Sequence, residues 1–228
     1  MTGKRLRALI GPVAAALAVA AHGGTARAAG CTTRPGGVGS TGSASQLIVV
    51  RGAGASTYGT LSLWQRKNGC WVAAGGPWTA RVGRNGLSAH HREGDGTTPE
   101  GSFGLEPVFY GTAPNPGVRY RYHRLVCGDW WDEDSSSPAY NRFEHVPCGI
   151  RPPFGGGSEA LWQETTAYTS FAALTYNVDP AVPGRGSAIF LHADTGSATN
   201  GCVSLPRSEL NRVLRWLDPK LKPLVVIE

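Results

Sequence analysis

Apolar residues recur along this 228-residue chain in short runs with a period near two, and helical spacing surfaces clearly only once. Gln46 to Arg51 is the first apolar run. Thr60 to Arg66 and Cys70 to Ala74 flank Asn68-Gly69, a two-residue hairpin signal because both positions tolerate positive φ. Trp78 to Val82, Gly101 to Leu105 and Ala188 to His192 read as further short strands, and Leu224 to Ile227 as the last. Near the C-terminus, Leu210, Val213, Leu214 and Leu217 repeat at helical spacing, with Ser208 as the expected cap and Asp218-Pro219 as the stop. Ala160 to Leu174 suits a helical piece or a strand equally. No βαβ alternation is visible, so the pattern predicts a mainly β domain with one or two short helices.

The N-terminal segment follows a different pattern. Lys4, Arg5 and Arg7 precede an apolar run from Ala8 to Ala21, and small residues follow through Ala29. This is the composition of a secretory signal peptide over residues 1–29, too short in its apolar part to be kept as a membrane helix. Thr32 to Ser45, full of Gly, Ser and Thr, reads as a flexible leader within 30–45, ahead of a single domain at 46–228. The signal peptide also changes the charge. The whole chain carries a formal +6, but taking its four basic residues from the 22 leaves 18 against 16 acidic, a net of +2. That is no footprint for a nucleic-acid partner.

Five cysteines in an exported chain imply oxidation with one left over. Cys127 and Cys148 bracket one polar segment, and Cys31 and Cys70 could tie the leader to the first hairpin. Lipidation of Cys31 is the alternative offered by Ala28-Ala29-Gly30-Cys31, although the usual Leu three residues ahead is missing. Cys202 remains as the free thiol.

Alone, His192 at the end of an apolar run is an ordinary structural histidine, and Cys202 an ordinary buried hydrophobe. Their setting argues for more. Cys202 is the odd cysteine, follows Gly201, and ends a polar loop that begins just after His192. A thiol needs a nearby imidazole to be activated, and this spacing can supply one.

His192, the loop, and Thr199-Asn200-Gly201-Cys202 together resemble the catalytic motif of the YkuD-like L,D-transpeptidases, specifically their exported actinobacterial branch. "GRNGLSAHHREGDGTTPEGSF" (Gly83 to Phe103, with "TPEGSF" as the strand entry), "YNVDPAVPGRGSAIFLH", "GCVSLP" and the closing "RWLDPKLKPLVVIE" carry the same resemblance over roughly Gln46 to Glu228. Asn200 stands where many members have a second His, and Ser204 where many have Arg. The resemblance implies a β-sandwich or barrel-like domain in which Cys202 attacks a peptidoglycan stem peptide, with His192 as base and the Gly201 and Cys202 amides facing the oxyanion. It implies stem peptides and carbapenem-type inhibitors as partners, a secreted or wall-associated monomer, and no cofactor, stable membrane insertion or metal. Hydrolysis of the same acyl-enzyme by an L,D-carboxypeptidase or endopeptidase, and a non-catalytic wall-binding relic of the fold, are the rival readings.

Thr199 and Asn200 are the nearest candidates for substrate binding. Trp130, Trp131, Tyr140 and Asn141, between Cys127 and Cys148, are the others, in a segment expected to close over Cys202 with its carboxylates drawing in an ammonium. Asp132-x-Asp134-x-Ser136 lacks the later ligands of a calcium loop. His90 and His91 have no motif spacing to Cys202 and are expected to be dispensable.

Overall fold

The computed structural model describes residues 1–2 and 30–228; the expected signal peptide lies outside the described residues. Its first strands are β1 (Gln46–Gly52), β2 (Tyr58–Lys67), β3 (Cys70–Arg81), β4 (Leu87–Ser88), β5 (Thr98–Pro99), β6 (Gly101–Phe103), β7 (Leu105–Gly111) and β8 (Arg121–Arg124). Then come β9 (Asp129–Asp132), β10 (Arg142–His145), β11 (Glu159–Ala160), β12 (Phe171–Leu174), β13 (Phe190–Ala193) and β14 (Val203–Leu205). The helix α1 (Arg207–Trp216) and β15 (Leu224–Ile227) close the chain. Ten of these form one sheet in the order β6-β15-β1-β2-β3-β14-β13-β12-β7-β8, and β10-β9-β11 form a small second sheet.

Strand alternation explains the layers. Ile48, Val50, Leu61, Phe109, Leu191, Val203 and Val225 share one apolar cluster with Leu210, Val213, Leu214 and Leu217 from α1. Because that cluster draws on strands near both edges of the sheet, the sheet curls around it with α1 inside the curl. The alternate residues face outward and need separate covers. On one side Leu47, Val49 and Val226 pack beneath Val38 and Ala44. On the other, Tyr110, Phe171, Ala173 and Phe190 pack with Trp131, Leu161 and Tyr168.

Both expected disulfides form, Cys31–Cys70 and Cys127–Cys148, leaving Cys202 as a free thiol. The hairpin at Asn68-Gly69 has both residues at positive φ, as the turn requires. Trp78 to Val82 is largely the far half of β3 rather than a new strand, because register shifts near Leu61 and Leu63 let β3 continue along β2. The 30–45 segment is fastened down: Thr32 and Trp71 exchange backbone hydrogen bonds at 3.0 and 2.8 Å, and Val38 and Ala44 are buried.

Ser208 is not the helix cap. The cap position is Pro206, without a side-chain bond, and the Ser208 hydroxyl instead donates to the Glu209 carboxylate within the first turn. The other end is capped from far away: Gln46 Nε2 donates to the Trp216 carbonyl at 2.8 Å, and its Oε1 accepts from Asp218 N–H at 2.7 Å. The undecided stretch after Ala160 becomes two short 3-10 turns, Leu161–Gln163 and Ala167–Thr169, followed by β12.

Leu214 is fully buried where α1 meets the sheet. Leu214→Ala should cost about 2–5 kcal/mol of unfolding free energy, read by urea denaturation with the disulfides intact.

Candidate active site

The parallel strands β13 and β14 pair Leu191 with Val203, His192 with Ser204 and Ala193 with Leu205. Leu191, Ala193, Val203 and Leu205 turn into the inner core. Phe190, His192 and Ser204 must therefore turn to the outer face, and Cys202, one step before β14, packs with Phe190 there. His192 and Cys202 thus share a face as diagonal neighbours on adjacent strands. The Phe190 N–H donates to Cys202 Sγ at 3.3 Å, and the thiol donates to the Ala188 carbonyl at 3.2 Å.

His192 Nδ1 lies 2.8 Å from the Ala193 carbonyl. A carbonyl only accepts, so Nδ1 carries the proton and Nε2 keeps its lone pair. The backbone of the next residue is therefore the group that orients the imidazole, which no side-chain pattern reveals. Tyr168 meets the His192 ring edge-on at 5.7 Å, and its hydroxyl donates to Glu159.

The Thr199–Cys202 loop is pinned from several directions. Thr199 N–H donates to the Val82 carbonyl at 3.0 Å, its Oγ1 donates to the Cys202 carbonyl at 2.6 Å, and the buried Thr98 Oγ1 reaches the same carbonyl at 3.3 Å. Gly201 sits at φ +153°, and a Cβ there would lie 3.0 Å from the Thr97 carbonyl and 3.1 Å from Ile189 Cδ1. Only glycine lets the loop lie this close. The Gly201 N–H donates to Thr199 Oγ1 at 3.2 Å and so is committed inside the loop. Asn200 accepts a hydrogen bond from Arg84.

Cys202 opens on a cavity of about 330 Å³, together with Arg84, His91, Glu93, Glu133 and Glu159. Burial, then Glu159, pushes the Cys202 thiol upward, against the Phe190 N–H. Burial lowers His192 to about 4. At neutral pH the pair is thus thiol and neutral imidazole, not thiolate and imidazolium. Burial first, then Glu159, Glu93 and Asp132, raises Glu133 to about 9, and its Oε1 is buried without a hydrogen bond.

The other expected substrate contacts are built into the frame instead. Trp130 and Trp131 are neighbours on β9 and so point to opposite faces. Trp131 is buried against Phe190 at 4.9 Å, and Trp130 packs edge-on with Trp162 at 5.1 Å. Asn141 Oδ1 accepts from Trp131 Nε1 and Ala188 N–H, both at 3.0 Å, while Nδ2 donates to the Tyr176 and Asn177 carbonyls. Those four bonds use its whole capacity. Tyr140 is buried and donates to Glu93. Of the acidic run, Asp129 is buried between His123 and His145, each at 2.7 Å, and Asp132 is buried among amides and hydroxyls. Glu133 alone of that run reaches the cavity, joined by Glu159, which no local motif marks, and by Arg84, His91 and Glu93 from the stretch before β5.

The sequence model of one family, described as YkuD, L,D-transpeptidase catalytic domain, matches residues 56–227. No curated protein matches the chain. Among solved structures, the crystal structure of the helical cell shape determining protein Pgp2 from Campylobacter jejuni aligns at TM-score 0.40 and 17% identity. The alignment covers 80% of this chain and 47% of that one, so the chain spans about half of that protein's length.

Two outcomes follow from the site's electrostatics. Alkylation of Cys202 by iodoacetamide should keep accelerating with pH beyond 8; a plateau between pH 5 and 8 would instead reveal a resident thiolate. Glu133 is raised on folding, so its contribution is complete below pH 4.5 and is lost as pH rises toward about 9. Glu133→Gln should therefore raise the melting temperature at pH 8 and leave it unchanged at pH 4, by calorimetry at both values.

Proposed function

Since this chain belongs to the L,D-transpeptidase catalytic domain family, we propose that it cross-links peptidoglycan stem peptides through a thioester on Cys202. The observation that carries this reading is the placement of Cys202 and His192 on one face of two adjacent parallel strands, with Cys202 opening on the cavity. Cys202 Sγ gives its proton to His192 Nε2 and attacks the carbonyl between the third stem residue and the terminal D-Ala. The C–S bond forms, the C–N bond breaks, and D-Ala departs with the proton from His192. Loop amides, that of Cys202 among them, face the oxyanion, and Arg84 offers a cation to a substrate carboxylate. The two disulfides are consistent with an exported protein.

The acidic wall supports an amine rather than water as the second reactant. Glu93, Glu133 and Glu159 line the side of the cavity that a second stem's ammonium would enter. A cation there favours the ionised form of Glu133. Asn200 and Ser204, together with the neutral thiol, favour a wall-binding relic, so the test must separate chemistry from binding.

Purified protein incubated with stem tetrapeptides should yield cross-linked dimer by mass spectrometry. Tripeptide alone would establish the hydrolytic reading. A carbapenem should add one molecule per chain, at Cys202. Cys202→Ser should abolish both, and His192→Ala should slow turnover by roughly 100-fold or more, the scale of a lost general base. Absence of any adduct on folded, reduced protein would leave only the binding reading.

A further inference from the structure

We propose that His91, oriented by Asp95 and Thr97, is a second catalytic imidazole of the Cys202 cavity, taking the proton from the group that attacks the thioester. This rests on the acyl-enzyme reading above and assigns its second half to a residue outside the sequence motif.

His91 lies between β4 and β5, far in sequence from Cys202, yet its side chain is buried at the wall of the same cavity. Its Cε1 is 3.5 Å from where a Cβ on Gly201 would lie, so the ring rests against the residue preceding the nucleophile. The adjoining Nε2–Cδ2 edge needs Gly186: a Cβ there would fall 2.3 Å from His91 Nε2, at a backbone φ of +100°. Two glycines therefore make room for this ring beside the nucleophile loop.

Its protonation is set by its partners. Thr97 Oγ1 donates its own proton to Asp95 Oδ1 at 2.8 Å, so it can only accept from His91 Nδ1, 3.0 Å away. Asp95 Oδ1 is itself 3.1 Å from Nδ1 and is held by the Thr97 and Arg92 amides through its two oxygens. Nδ1 consequently carries the hydrogen, and Nε2 keeps a lone pair. Asp95 and Glu93 face the ring and favour the imidazolium once it forms, against the burial that lowers its pKa. Tyr176 packs edge-on against it at 5.3 Å, and Arg92, Arg185 and Glu100 share the neighbouring cavity on its far side. This is a carboxylate-oriented base. His192, held by a backbone carbonyl on the aromatic side, serves the acylation step.

In the second half-reaction the acceptor ammonium first releases one proton to solvent, and the free amine nitrogen then forms a C–N bond to the thioester carbon. Its surplus proton passes to His91 Nε2, the C–S bond breaks, and the thiolate leaves with the electron pair. The thiolate then recovers a proton as His91 releases its own to solvent, so thiol and both neutral imidazoles are restored.

The test measures the two halves separately, following D-Ala release and the thioester mass on Cys202 with donor tetrapeptide and acceptor stem. His91→Ala and His91→Gln should acylate within about threefold of wild type but resolve the thioester at least about tenfold more slowly, so that it accumulates. Free imidazole should restore resolution in His91→Ala, and Asp95→Asn should slow the same step. Equal slowing of both halves, unresponsive to imidazole, would make His91 a packing residue, and unchanged resolution in both His91 variants would make it a bystander. Either result overturns the assignment. Wild-type protein that forms no thioester would overturn the reading beneath it as well.

Discussion

Everything at the site depends on the parallel pairing of β13 with β14. Leu191, Ala193, Val203 and Leu205 are drawn into the inner core, and the period-two geometry of a strand leaves their neighbours no choice of side. His192 and Cys202 arrive on one face because the apolar residues between them are buried on the other. A one-residue slip of either strand would put the histidine or the thiol into the core and an aliphatic side chain into the cavity. The burial that stabilises the sheet is thus also what aligns His192 with Cys202.

The outer face needs a cover, and the cover shapes the chemistry. The segment joined by Cys127–Cys148 folds into β9, β10 and neighbouring turns, laying Trp131 on Phe190 and delivering Glu133 to the cavity. Glu159, which accepts from the Tyr168 hydroxyl behind it, completes the wall from the following stretch. Removing water there disfavours negative charge: Cys202, Glu133, Glu159 and Tyr168 all shift up, with burial the largest cause in each. The site therefore stores neutral partners rather than an ion pair. On the function proposed above, activation of Cys202 coincides with substrate arrival.

Rigid support for Cys202 comes from side chains already engaged in hydrogen bonds within the frame. Asn141 is one example, spanning Trp131, Ala188 and two carbonyls. Thr98 is another, with its hydroxyl shared between Gly83 N–H and the Cys202 carbonyl. Such residues resemble binding residues in sequence, being polar and near the motif. A polar group only binds substrate if the fold leaves it a free valence, and here it does not.

Local sequence determined a good deal. Alternation located six of the ten strands of the large sheet, the Asn68-Gly69 turn, the apolar face of α1 and the odd cysteine were all legible, and His192 with Cys202 stood out by order and spacing. These are properties of neighbours in the chain, where period, turn geometry and parity act over a few residues. Only the tertiary structure decided that Trp131 and Asn141 are framework, that Gln46 caps α1, that residues 30–45 cover the sheet, and that His91, Glu133 and Glu159 meet at Cys202. The reason is physical. Those contacts join segments tens of residues apart, chosen by which apolar faces must be covered and which polar groups must be paired once the sheet curls, and no local period carries that information.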